Sequence, residues 1–75
     1  MAGEVSASQL YRYILKNREV VDGRLMCRAA IFPYLEGCGV TNPKSARTSL
    51  VKELTRQGRV LRENPRSRRL LILDA

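Results

Sequence analysis

Apolar residues recur along this chain in two different periods, and the change of period divides it. Leu10, Tyr11, Ile14 and Leu15 fall at helical spacing. Ser6 or Ser8 stands where a hydroxyl can cap the first turn. A first helix is therefore predicted over roughly residues 7–18, with Arg12, Lys16, Arg18 and Glu19 on or near its polar side. Val20 and Val21 are β-branched and precede Asp22-Gly23, so the helix should stop and a very short strand should form. Such a strand could pair with a C-terminal hairpin and give it a third member. A second helix is expected from Arg24, capped by Asp22, with Leu25, Met26, Ala29, Ala30 and Phe32 as its apolar stripe. Pro33 should kink this helix, or end it and restart it as residues 33–36. Tyr34 and Leu35 still reach the core, Gly37 and Gly39 end the element, and Val40 fills the gap before the next helix.

The third helix has the clearest limits. Asn42 suits the N-cap, Pro43 the first helical position and Gly58 the stop. Ala46, Leu50, Val51 and Leu54 make its apolar face. The opposite face gathers Ser45, Thr48, Ser49, Lys52 and Arg56, with Lys44 beside its start. That face has hydroxyls and long cations but no acid, and Glu53 lies to its side. Arg47 falls near the apolar face, either reaching past the core or projecting from the helix end. After Gly58 the period shortens. Val60-Leu61 and Leu70–Leu73 read as two arms of a hairpin around the turn-forming Asn64-Pro65-Arg66-Ser67. Arg66, Arg68 and Arg69 cluster near its tip, and alternation sends Arg68 and Arg69 to opposite faces.

Composition narrows the function. Seventy-five residues suffice for one domain, read as residues 6–75 behind a flexible tail of residues 1–5. An apolar content of 44% argues against disorder despite a net charge of +7. No stretch approaches the roughly 18 apolar residues of a membrane span. The opening MAGEVSASQ has an early acid and no apolar run, unlike a secretory signal. Residues 1–42 hold five basic and four acidic side chains, whereas residues 43–75 hold nine and three. The basic excess thus belongs to one half, the arrangement expected of a polyanion-binding surface. Cys27 and Cys38 match no zinc or redox spacing and are expected as reduced, structural thiols. With no histidine, scattered carboxylates and no phosphate loop, the chain is not expected to be an enzyme or to need a cofactor or metal. Among the tyrosines, Tyr11 and Tyr34 should be partly buried wedges and Tyr13 the most exposed. Phe32 is expected in the core.

The order of helix, short strand (Val20-Val21), second helix (Arg24–Gly37), turn (Gly39-Val40-Thr41), third helix (Asn42–Gln57) and basic hairpin (Arg62–Leu73) resembles the winged helix-turn-helix superfamily. Leu54-Thr55-Arg56-Gln57-Gly58-Arg59-Val60 is especially similar to the junction between its recognition helix and its wing. The resemblance is architectural and covers residues 7–74. It implies an α+β fold of three helices with a C-terminal β-hairpin, the wing. It further implies that the third helix enters the DNA major groove while the wing meets backbone or minor groove. The expected partner is double-stranded DNA, held by Lys44, Ser45, Thr48, Ser49, Lys52, Arg56, Arg66, Arg68 and Arg69. The expected role is a small transcriptional regulator or an accessory factor of replication or recombination, cytoplasmic and nucleoid-associated or nuclear. A protein-interaction module within a larger complex is the main alternative, and RNA binding a further one. A homodimer through the first helix and the N-terminal tail would double the footprint on DNA.

Overall fold

A computed structural model describes residues 4–27, 30–62 and 69–73. The elements run α1 (Ala7–Lys16), β1 (Arg18–Val21), β2 (Arg24–Cys27), α2 (Ile31–Gly37), α3 (Pro43–Arg56), β3 (Val60–Arg62) and β4 (Leu70–Ile72). Three helices thus accompany one antiparallel four-stranded sheet, an α+β domain, with strand order β1-β2-β4-β3.

The first helix starts where the sequence places it but ends at Lys16, because Arg18 and Glu19 join β1. Ser6 caps it reciprocally: the Gln9 amide donates to Ser6 Oγ at 3.1 Å, and the Ser6 amide donates to Gln9 Oε1 at 2.9 Å. Leu10, Tyr11 and Ile14 are its buried stripe.

The next segment departs from expectation. Residues 24–27 are a strand, not the start of a second helix. The cause is Asp22-Gly23, whose φ angles of 53° and 76° make a two-residue hairpin turn. Asp22 is therefore not a helix cap. Val21 stands opposite Arg24, and Val20 opposite Leu25. The Val20-Val21 strand thus pairs with β2 rather than with the C-terminal strands. It is β2 that meets β4, with Met26 opposite Leu71 and Cys27 opposite Leu70. The C-terminal strands pair with each other, Leu61 opposite Leu71. They are not a separate hairpin, because β4 lies inside the sheet.

Helix α2 is accordingly short. Pro33 is its third residue and neither kinks nor divides it. First-turn amides have no intrahelical acceptor, so a missing donor there breaks nothing. Ala30 is its N-cap rather than part of an apolar stripe, and Ala29 lies outside the described residues. Ile31 and Leu35 are buried, while Phe32 is only half-buried and stands apart from the main core.

Helices α2 and α3 end alike. At α2 the Gly39 amide donates to the Glu36 carbonyl and the Val40 amide to the Leu35 carbonyl. At α3 the Gly58 amide donates to Thr55 and the Arg59 amide to Leu54, each at 3.0 Å. Both glycines have positive φ, 80° and 75°. These are paired 6→1 and 5→2 bonds, which satisfy carbonyls that a helix end leaves open. The core is Leu10, Tyr11 and Ile14 of α1, Ile31 and Leu35 of α2, Val51 and Leu54 of α3, and Cys27, Val60, Leu70 and Ile72 of the sheet. Val5, Val40, Ala46 and Leu50 pack against it from its margin. Arg59 lies over the Tyr11 ring at 4.7 Å and ties the start of β3 to α1. Neither Cys27 nor Cys38 forms a disulfide.

Leu54 is fully buried, whereas Leu73 is half exposed at 52%. Leu54→Ala should lose about 2–5 kcal/mol of stability in urea unfolding, a large part of what a small domain has. Leu73→Ala should change it by about 0.5 kcal/mol or less.

Candidate nucleic-acid interface

Helix α3 owes its orientation to its buried side. Val51 and Leu54 enter the core, and Ala46 and Leu50 pack on its margin. The opposite surface is therefore forced outward. Lys44, Ser45, Thr48, Ser49, Lys52 and Arg56 are all exposed. Of the hairpin arginines, Arg69 is exposed just before β4, while Arg66 and Arg68 lie outside the described residues.

The exposed surface of α3 does not end in open solvent on every side. Between α3 and β3 runs a groove of about 470 Å³. Arg47, Lys52 and Arg56 of α3 and Arg62 of β3 line it, with Thr48, Val51 and Thr55 between them. Among the described residues, four cations and no acid thus surround a floor that contains a valine. Arg47, which the helical wheel left undecided, lies on this groove. Arg62 and Thr55 were missed altogether. Thr55 sits between the apolar and polar faces of the wheel. Arg62 is brought to α3 by the turn at Gly58, which folds β3 back beside the helix, a packing that the helical wheel does not describe.

The hydroxyls are less available as donors than their sequence suggests. Thr48 Oγ1 donates to the Lys44 carbonyl at 3.1 Å, and Thr55 Oγ1 to the Val51 carbonyl at 2.8 Å. Each oxygen can still accept but has its proton engaged. The opening turn of α3 also offers few amides to an anion. Pro43 has none, the Ser45 amide is held by Asn42 Oδ1 at 3.4 Å, and the Ala46 amide by the Asn42 carbonyl at 3.0 Å. Recognition of an anion here rests on side-chain cations.

Among those cations, Arg56 is held by an acid. Arg56 Nε donates to Glu53 Oε1 at 3.0 Å, its Nη2 donates to Oε2, and Gln57 Nε2 donates to Oε2 at 2.7 Å. These donors, Arg56 foremost, hold the Glu53 carboxyl below the usual carboxylate range, and Glu53 raises Arg56 in return. Arg56 therefore presents a partly neutralised, fixed guanidinium to the groove.

The tyrosines are not a base-stacking surface. Tyr11 is buried under Arg59. Tyr13, expected to be the most exposed, is half-buried. It stacks on Tyr34 at 4.0 Å and 15°, and its hydroxyl donates to the Ala30 carbonyl at 3.0 Å. Burial first, then neighbouring cysteine, raises the pKa of both stacked rings.

No cluster of three or more metal-ligating side chains occurs among the described residues, and none of their helices is long and apolar enough to cross a membrane. Set against protein-family models, curated proteins and solved structures, the chain gives no match.

The Glu53 pairing has a pH signature. It supports the folded state when Glu53 is ionised, so its contribution is complete above the ordinary carboxylate pKa. It fades as pH falls through the lowered folded value. In a carboxyl-detected NMR titration, Glu53 should titrate below the usual glutamate range, and Arg56→Ala should move it upward.

Proposed function

We propose that this chain binds double-stranded DNA, with α3 in the major groove and the cations between α3 and β3 on the adjoining backbone. The observation that carries the reading is the groove lined, among the described residues, by Arg47, Lys52, Arg56 and Arg62 without an acid. A row of arginine and lysine beside an outward-facing helix matches a phosphate strand in charge and in shape. The element order supports a winged-helix reading of the fold. Two helices joined by residues 38–42 precede two antiparallel strands, and β2 supplies the third strand beside them. In that reading β3 and β4 form the wing, and β1 is an addition at the sheet's edge. In that reading Ser45, Ser49 and Lys44 contact bases or phosphates, and Arg66, Arg68 and Arg69 make the wing's contact. The cellular role that fits is a small regulator of transcription or an accessory factor in replication or recombination.

Anisotropy titrations of labelled duplex DNA over a range of salt concentrations test the proposal. The logarithm of affinity should fall linearly with the logarithm of salt. Lys52→Ala and Arg62→Ala should each lower that slope by about one unit and weaken binding to all sequences alike. Arg56→Ala should have a smaller effect, since Glu53 already offsets its charge. An affinity indifferent to salt, or a Lys52→Ala, Arg62→Ala double variant that binds like the parent, would overturn the reading. A matched RNA duplex should compete poorly, because its narrow major groove excludes a helix.

A further inference from the structure

Strand β1 stands at one edge of the sheet, and three of its four residues are exposed. Val20 is the most exposed large apolar side chain described, at 70%. It is opposite Leu25, which packs on the core, so the apolar row of the sheet runs outward and stops at a bare valine.

The turn fixes which backbone groups this edge presents. A two-residue turn makes its flanking pair, Val21 and Arg24, a hydrogen-bonded one. Hydrogen-bonded and non-bonded pairs alternate along an antiparallel ladder. Val20 and Arg18 therefore direct their amide and carbonyl groups away from β2, toward the open side.

Charge then selects the occupant. The protein carries +7 overall, yet Arg18, Glu19, Asp22 and Arg24 make the β1–β2 hairpin neutral. The other edge, β3, carries Arg62 beside Arg59, with no acid in residues 59–62, and borders the basic groove. Self-association through β3 would set like charges together. At β1 a two-fold antiparallel pairing centred on Val20 sets Val20 against its copy, Glu19 against Val21 and Arg18 against Asp22. Centring it on Glu19 would oppose two glutamates, which is destabilising. Arg18 uses one N–H on the Leu15 carbonyl at 3.0 Å and retains four for a partner's carboxylate.

We propose that β1 is the contact between two copies of this chain, which pair antiparallel across a two-fold axis at Val20. The paired valines continue the apolar row from one core edge to the other, and Arg18 and Asp22 close each end. The contact leaves α3 and its groove uncovered on both copies. It is narrow, so association is weak and depends on concentration.

Sedimentation equilibrium of the full chain without DNA, from about 10 μM to about 1 mM, tests this separately from nucleic-acid binding. A monomer–dimer equilibrium is expected. Val20→Pro removes only an outward amide and should weaken dimerisation about tenfold or more, because proline is tolerated on an edge but cannot donate. Val20→Lys, which sets two cations at the axis, should do the same, and circular dichroism should show both variants folded. In a mixed-isotope sample, intermolecular NOEs should join Val20 to Val20 of the second copy. A monomer throughout that range, a dimer unaffected in both variants, or intermolecular NOEs at α1 instead would overturn the proposal.

Discussion

Within four residues of its last helical turn the chain must reverse from α3 into β3, and the left-handed backbone at Gly58 permits it. A side chain there would meet no neighbouring atom, so the requirement is one of backbone angle and not of space. The bonds from Gly58 and Arg59 back to Thr55 and Leu54 lock the reversal. Everything proposed for the basic surface depends on this corner. It delivers Val60 into the core and holds Arg62 on the same groove as Lys52 and Arg56. A longer connection would let α3 and β3 separate, and four cations on one groove would become scattered surface charge. The Arg59–Tyr11 contact braces the corner from the side of α1.

The groove is also selective in how it carries charge. Arg47, Lys52, Arg56 and Arg62 gather positive charge around a floor that contains Val51. Glu53 works against this at one position. By accepting from Arg56 and Gln57 it caps the polar side of the last turn and reduces repulsion among neighbouring cations. The same carboxylate thus steadies the end of the helix and moderates its field. The two threonine hydroxyls turned onto backbone carbonyls leave the cations as the principal donors.

Much of the helical structure was legible in the chain because its signals are local. Ser6, Asn42-Pro43, Gly39 and Gly58 mark helix ends through the geometry of one turn, and each acts where it was read. The second helix was misplaced because Asp22-Gly23 admits two readings, a helix cap or a hairpin turn. Leu25, Met26 and Cys27 are apolar without alternation, as befits a strand between two others, and so resemble one side of a helix. Pro33 was taken as a breaker because the helix start was set too early. Once the helix begins at Ile31, the same proline falls in the first turn and is harmless. Phe32 reads as core when it continues the apolar stripe of a helix begun at Arg24; in the shorter helix Ile31 and Leu35 take the core-facing positions.

The sequence alone determined the start of α1, the limits of α3, the apolar side of α3 and the concentration of positive charge after residue 42, since each follows from neighbours within a few positions. Tertiary structure alone decided that β4 lies between β2 and β3, that Arg62 faces Arg47 and Lys52 across one groove, and that β1 is left as an edge. Strand order depends on which segments, distant in the chain, bury the most apolar surface together. Outside a hairpin, backbone hydrogen bonding is indifferent to side-chain identity, so no local pattern pairs β2 with β4.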